Sequence, residues 1–176
     1  VAASAWWDPA FGRPGQGDSS VFAAIFIDTD GGFWLHRVAY LQIDPLAALD
    51  PATQQCRQVA EHAAALHLPS VTVETNGIGA FLPGLLRQAF SQRKLGVSVQ
   101  AATARQSKDQ RILAALEVPL AARMLHAHSG VLQTPFPQEM REWRPGANRR
   151  DDGLDAVAGA IAAAPVRLPA RPMAQR

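Results

Sequence analysis

Two short apolar runs in this chain stop on a single carboxylate, and a loop follows each stop at once. Ala-Ser-Ala-Trp-Trp-Asp8 is cut off by Pro9 and a glycine-containing loop, which can neither extend a strand nor start a helix. Ser70-Val-Thr-Val-Glu74 ends in the same way, before Thr-Asn-Gly-Ile-Gly79. A core strand gains nothing by ending on an unpaired charge, because a desolvated carboxylate is costly unless a cation or a donor meets it. Asp8 and Glu74 are therefore read as ligands, and the rest of the chain as the frame that brings their partners to them.

Between the two runs lies a hairpin. Residues 19–28 are strongly apolar over a strand length, Asp28-Thr-Asp-Gly-Gly32 is a turn signal, and residues 33–43 resume as a strand. Asp28 and Asp30 suit that turn better than a metal pair, since Asp and Gly dominate tight turns for local hydrogen-bonding reasons. Asp50-Pro51 starts a helix, with Asp as N-cap and Pro at the first helical position. Cys56, Val59, Ala60, Ala63 and Leu66 give that helix its apolar face.

After Glu74, residues 80–94 read as a helix and 97–101 as a strand. Ser107 caps a helix to about Leu116, with Lys108 and Arg111 in its first turns and Val118-Pro119 as its stop. Residues 123–128 fit a short strand on which His126 and His128 share a face. Two histidines without a third ligand nearby are read as structural or exposed. His62 and His67, at the end of the earlier helix, have the same ordinary reading. A short helix over 135–143 and a basic loop over 145–150 lead into Asp151-Asp-Gly-Leu-Asp155, the start of an Ala- and Gly-rich last helix. Asp151 or Asp152 is a natural N-cap there, but three acids are more than capping needs. From Pro165 onward the Pro- and Arg-containing tail is expected to be mobile.

A length of 176 residues suits one domain with a substantial core. The single Cys56 excludes an internal disulfide, fits a reducing compartment, and is expected to be a packed thiol. The net charge of +2 does not mark a nucleic-acid binder, but 15 of the 17 basic residues are Arg, whose fork binds phosphate oxygens in pairs. Arg149 and Arg150 stand directly before the acidic helix start and are the pair best placed to meet phosphate. No apolar run approaches the roughly 20 residues that span a bilayer. No Gly-x-x-x-x-Gly-Lys-Ser/Thr loop occurs, so an ATP-driven motor is not expected within this chain.

If the first and fourth strands are parallel neighbours, Asp8 and Glu74 protrude from one sheet edge, and a helix packed beside it can add Asp155. Three such carboxylates repel one another unless divalent cations neutralise them. Oxygen ligands select Mg²⁺ or Mn²⁺ over zinc. Two such ions about 3.5–4 Å apart can clamp the attacking and leaving oxygens of a phosphodiester without any protein nucleophile.

Four motifs in this order resemble a known family: Trp7-Asp-Pro-Ala-Phe-Gly12 with Asp18 before the second strand, Val73-Glu-Thr-Asn-Gly77, Lys108 with Arg111, and Asp151-Asp-Gly-Leu-Asp-Ala156. They are similar to the nuclease domain of the large terminase subunit of tailed bacteriophages and prophages, in the RNase H-like superfamily. The resemblance spans about residues 3–164. It implies an α/β fold over residues 1–165: a mixed five-stranded sheet, its first three strands antiparallel and the next parallel, with helices on both faces. Residues 166–176 would form the tail. The implied activity is metal-dependent hydrolysis of double-stranded viral DNA during genome packaging, with two Mg²⁺ or Mn²⁺ ions. Asp8, Glu74 and Asp155 would be the catalytic metal ligands, and Asp152 and Asp18 accessory ones. Lys108, Arg111, Arg149 and Arg150 would contact DNA. The implied partners are an ATPase domain of the same polypeptide, a portal protein and a small terminase subunit. The implied location is the host bacterial cytoplasm, transiently at the procapsid portal, with no membrane and no secretion. Two rival classes stay open. One is another RNase H-like nuclease, of junction-resolvase or transposase type. The other is a non-enzymatic or actin-like phosphate-binding module, which would want a Gly- and Ser/Thr-rich loop where this chain has Pro-Ala-Phe-Gly12.

Overall fold

The computed structural model describes residues 1–11, 18–147 and 150–168. Its centre is β1 (Ala2–Asp8), five of whose seven residues are buried in succession. Such a run, apolar on both faces, belongs in the middle of a sheet covered on both sides. β2 (Val21–Ile27) and β3 (Phe33–Tyr40) follow as antiparallel neighbours, and β4 (Ser70–Glu74) and β5 (Ser98–Ala102) extend the other side in parallel. The sheet order is β5-β4-β1-β2-β3, continued past β3 by the short parallel β6 (Leu125–Ala127).

The sheet has seven strands where five are expected. β6 occupies the outer edge of β3. The other addition is β7 (Val166–Arg167), which lies just past the expected domain end at residue 165 and pairs antiparallel with Ala2 and Ala3. The physical reason is an open edge. β4 pairs with β1 only at Trp6 and Trp7, which leaves the first residues of β1 with free backbone groups for β7 to meet.

The helices form two layers. α1 (Pro51–Ala65) and α2 (Leu82–Gln92) pack on Ala3, Ala5 and Trp7 of β1. Asp50 caps α1 as expected, accepting from the Thr53 N–H at 2.9 Å. Cys56 is buried in this layer, and burial pushes its thiol up to about 12. α3 (Lys108–Ala121), the short α4 (Phe136–Glu142) and α5 (Asp152–Ala162) contribute to the opposite layer, around Trp6, Val21 and Ile25. α3 does not stop at Val118-Pro119. Ile112, Ala115, Leu116 and Pro119 form one buried stripe, and packing that stripe carries the helix through Pro119 to Ala121. α5 lies close against β1 because a Cβ at Gly159 would stand 2.5 Å from the Trp6 ring, a space only glycine leaves open. The Ser4 hydroxyl donates to the Ala160 carbonyl at 2.7 Å in the same contact.

Candidate metal centre

The pleat decides where the strand-end acids point. Trp7 and Val73 are aligned in the parallel β1–β4 pair, and both face α1 and α2. One residue further along each strand, Asp8 and Glu74 therefore turn to the opposite face, where α5 runs. Asp155, in the first turn of α5, meets them there. One carboxylate oxygen from each of Asp8, Glu74 and Asp155 lies within 4.8 Å of the others, the only such group of potential metal ligands among the described residues.

Arg111 stands inside this group. Its Nη1 is 2.9 Å from Glu74 Oε2, and its Nη2 is 2.6 Å from Asp155 Oδ2. The other Glu74 oxygen accepts from Asn76 Nδ2 at 2.7 Å. Asp155 Oδ1 is buried with no hydrogen-bond partner. Burial, reinforced by the charges of Glu74 and Asp155, raises the Asp8 pKa to about 8. Burial also lifts Asp155 to about 6, although Arg111 and Lys108 pull it down. Burial opposes the charge of Arg111, yet Asp155 and Glu74 outweigh it and hold the guanidinium more firmly protonated than usual. Two acids carrying unfavourable charge, an orphaned carboxylate oxygen and an all-oxygen donor set fit a hard divalent cation.

The accessory candidates lie outside the three-acid group. Asp152 Oδ2 accepts from the Ser19 N–H at 2.8 Å and its Oδ1 lies 3.0 Å from Lys108 Nζ, so it ties the start of β2 to α3. Lys108 also reaches Asp151 at 2.6 Å, and with both acids beside it its pKa is raised despite burial. Asp18 is exposed and is not in the three-acid group. Of the residues expected to meet DNA, Lys108 and Arg111 are engaged by acids and Arg150 is exposed, whereas Arg149 lies outside the described residues. Asp151 stands at the N-cap position of α5 but makes no side-chain cap bond.

No protein-family model and no curated protein matches the chain. Among solved structures, the nuclease domain of the large terminase subunit of bacterial virus Sf6 aligns over 97% of this chain and 90% of its own, with a TM-score of 0.64 and 14% identity. A mutant of that domain with manganese aligns over 93% of this chain and 89% of its own, at TM-score 0.64 and 13% identity. The yeast mitochondrial Holliday junction resolvase Ydc2 aligns over 90% of this chain and 76% of its own, at TM-score 0.52 and 9% identity. The fold is RNase H-like.

Within that RNase H-like frame, several residues that hold the three acids carry no motif. Glu139, only 4% exposed, takes over the capping of α5: its Oε2 accepts from the Gly153 and Leu154 N–H groups at 2.9 and 3.2 Å. Its other oxygen accepts from the Tyr40 hydroxyl at 2.8 Å. Gly153 makes this possible, because a Cβ there would collide with Tyr40 Oη and stand 2.8 Å from Glu139 Oε2. On the other side, buried Gln55 receives a hydrogen bond from Ser20 Oγ at 2.8 Å and donates to the Ala10 carbonyl at 2.7 Å, pinning the chain just after Asp8. Trp7 Nε1 donates to the same Ser20 at 2.9 Å. A polar residue on an apolar helix face is the only signal Gln55 leaves in the sequence. For Glu139 the sequence holds none.

Proposed function

We propose that this chain is a divalent-metal-dependent DNA endonuclease of the terminase type, acting on double-stranded viral DNA during genome packaging. The observation that carries this reading is the carboxylate triad Asp8, Glu74 and Asp155, which offers an unpartnered buried oxygen on the edge of an RNase H-like sheet. Mg²⁺ or Mn²⁺ held by these three residues, as one ion or a pair, would supply an activated water and charge stabilisation at the phosphoryl group. The chain's own residues prepare for it. Asp8, with its pKa raised to about 8, gives up a proton when it ligates, so metal affinity rises with pH. Arg111 neutralises Glu74 and Asp155 when they hold no cation, and Asn76 keeps Glu74 turned inward. Lys108, locked between Asp151 and Asp152, adds positive charge at the rim, where a phosphate would approach.

Terminase type is preferred to junction resolvase on the four-motif resemblance and on the higher structural similarity to the Sf6 nuclease domain than to Ydc2, TM-score 0.64 against 0.52. The ATPase domain of the same polypeptide, the portal protein and the small subunit then become the working partners, in the host cytoplasm. The test is cleavage of plasmid duplex, and of a synthetic four-way junction, with Mn²⁺, Mg²⁺ or EDTA. Metal-dependent cutting of duplex with little sequence preference is expected. Asp8→Asn and Glu74→Gln should each lose more than the roughly 10–100-fold that removal of an outer-shell partner costs. Cutting that persists in EDTA or in Asp8→Asn sinks the nuclease assignment, and a strong preference for the junction replaces terminase by resolvase.

A further inference from the structure

Beyond the triad, the side chains that gather most clearly are basic. β6 covers only Phe33 to Leu35 of β3, so the remainder of β3 runs past it along a cavity of about 480 Å³. Arg37 and His36 of β3, His62 of α1 and His128 after β6 line it, and no Asp or Glu does. His36 stacks on His128 at 5.8 Å and stands edge-on to Phe26 at 4.7 Å, and His62 stacks on Phe22 at 5.6 Å. These ring contacts orient the imidazoles, and Arg37 Nε is buried without a hydrogen-bond partner. The set does not suit a cation. No three of the histidines converge as the carboxylates do, and Arg37 would repel a metal ion. A guanidinium and three imidazoles around a cavity without Asp or Glu suit an anion.

The sheet register relates the cavity to the triad. Asp8 is aligned with Val21 across β1–β2, and Val21 with Tyr40 across β2–β3, and Tyr40 lines the cavity. Two strand spacings of about 4.8 Å put Tyr40 about 10 Å from Asp8 along the sheet edge and on the same face. Arg37, aligned with Ala24, and His62 of α1 stand on the opposite face, further along β3. Exposed Arg150 lies close enough to Tyr40 to act on it electrostatically, which continues positive charge between the two places.

We propose that the cavity formed by Arg37, His36, His62 and His128 is a second phosphate site, holding a phosphodiester of the DNA where the duplex passes the β3 edge. The assignment to DNA rests on the nuclease reading; the anion site itself does not. Burial, with Arg37 nearby, keeps His62 readily deprotonated, opposed by Glu61, and burial with His128 and Arg37 does the same for His36. Tyr40 adds no charge here, since its pKa is raised. A bound phosphate favours the protonated imidazoles, so binding tightens as pH falls.

The experiment is a titration of the whole chain in EDTA with dimethyl phosphate, a diester whose charge is the same at pH 6 and pH 8, following the imidazole resonances by NMR at both pH values and constant ionic strength. His36, His62 and His128 should shift on one saturable curve, tighter at pH 6, with at least about tenfold weakening in Arg37→Gln. The exposed His128→Ala should weaken it also, and serves if Arg37→Gln does not fold. A linear drift that is the same in parent and variants removes the site. Duplex binding in EDTA, measured by anisotropy against salt, should lose about one unit of slope in Arg37→Gln. An unchanged slope in both variants beside an intact phosphate curve overturns the assignment to DNA. Cleavage by the parent with Mn²⁺ is scored apart, so its failure counts against the nuclease reading and not against the anion site.

Discussion

Arg111 stands where a cation belongs. It pairs with Glu74 and Asp155, but its charge does not offset the burial of Asp8, and one oxygen of Asp155 has no hydrogen-bond partner. The folded-state pKa values of Asp8 and Asp155, about 8 and about 6, both exceed the ordinary 3.8. Protons are thus bound more tightly in the folded state, and the stability these groups contribute is fully present below pH 4 and is lost as pH rises through 6 and 8. In EDTA the protein should therefore melt progressively lower from pH 4 to pH 8, with the upper half of that fall absent in Asp8→Asn. Asp28 and Asp50, whose pKa values are lowered, act below this window, whereas the lowered His36 and His62 act within it with the opposite sign. Identical melting profiles in the parent and Asp8→Asn would exclude the raised Asp8. Asp155→Asn separates helix-end acid from ligand. As a dipole partner alone, Asp155 is worth about 0.3–1 kcal/mol, and its loss would lower the melting point. As a member of the triad it carries unfavourable charge at pH 8, so the metal-free variant should melt no lower than the parent and gain less from Mn²⁺. Paired melts at pH 8, with EDTA and with Mn²⁺, decide between them.

At the scale of elements, the site depends on how α5 is seated. Its first N–H groups end on Glu139, its middle rests on Trp6 through Gly159, and Ser4 holds the Ala160 carbonyl. Glu139→Ala leaves the Gly153 and Leu154 amides unmet and should cost about 1–2 kcal/mol. For a chain of this size that is about 2–8 °C in melting temperature. Glu139→Gln keeps an acceptor and should lose less. Equal melting of Glu139→Ala and the parent would mean that the cap contributes nothing. Gly159→Ala is expected to cost about 1–3 kcal/mol through overpacking against Trp6, measured in the same melts.

Across the whole molecule, the charge that could meet DNA is unevenly available. Arg111 and Lys108 are engaged by four carboxylates, whereas Arg150 is exposed just before the start of α5. Free basic groups should therefore dominate metal-free DNA binding. Arg150→Ala is expected to reduce the slope of log affinity against log salt by about one, and Lys108→Ala by less. The measurement is anisotropy of a labelled duplex over a salt series in EDTA, and the reverse order of the two variants would refute this account of the charge.

The strands, the hairpin, the Asp50 cap and the acids of the triad were legible in the sequence because each follows from local chemistry. An apolar run broken by Pro9, a turn of Asp and Gly, and an acid where a strand must stop are all decided by neighbours in the chain. Where a contact joined distant segments, local reading went astray or saw nothing. Pro119 looked like a stop because the missing N–H is local, while the buried stripe that overrides it needs the opposite layer of the fold. Asp151 or Asp152 looked like the cap of α5, yet Lys108 engages both side chains and Glu139 takes over the amides from another helix. β7 formed at an edge that exists only because β4 pairs with the far end of β1. Composition and spacing determined which groups could ligate, and the sheet register and helix packing alone decided that Asp8, Glu74 and Asp155 meet around Arg111.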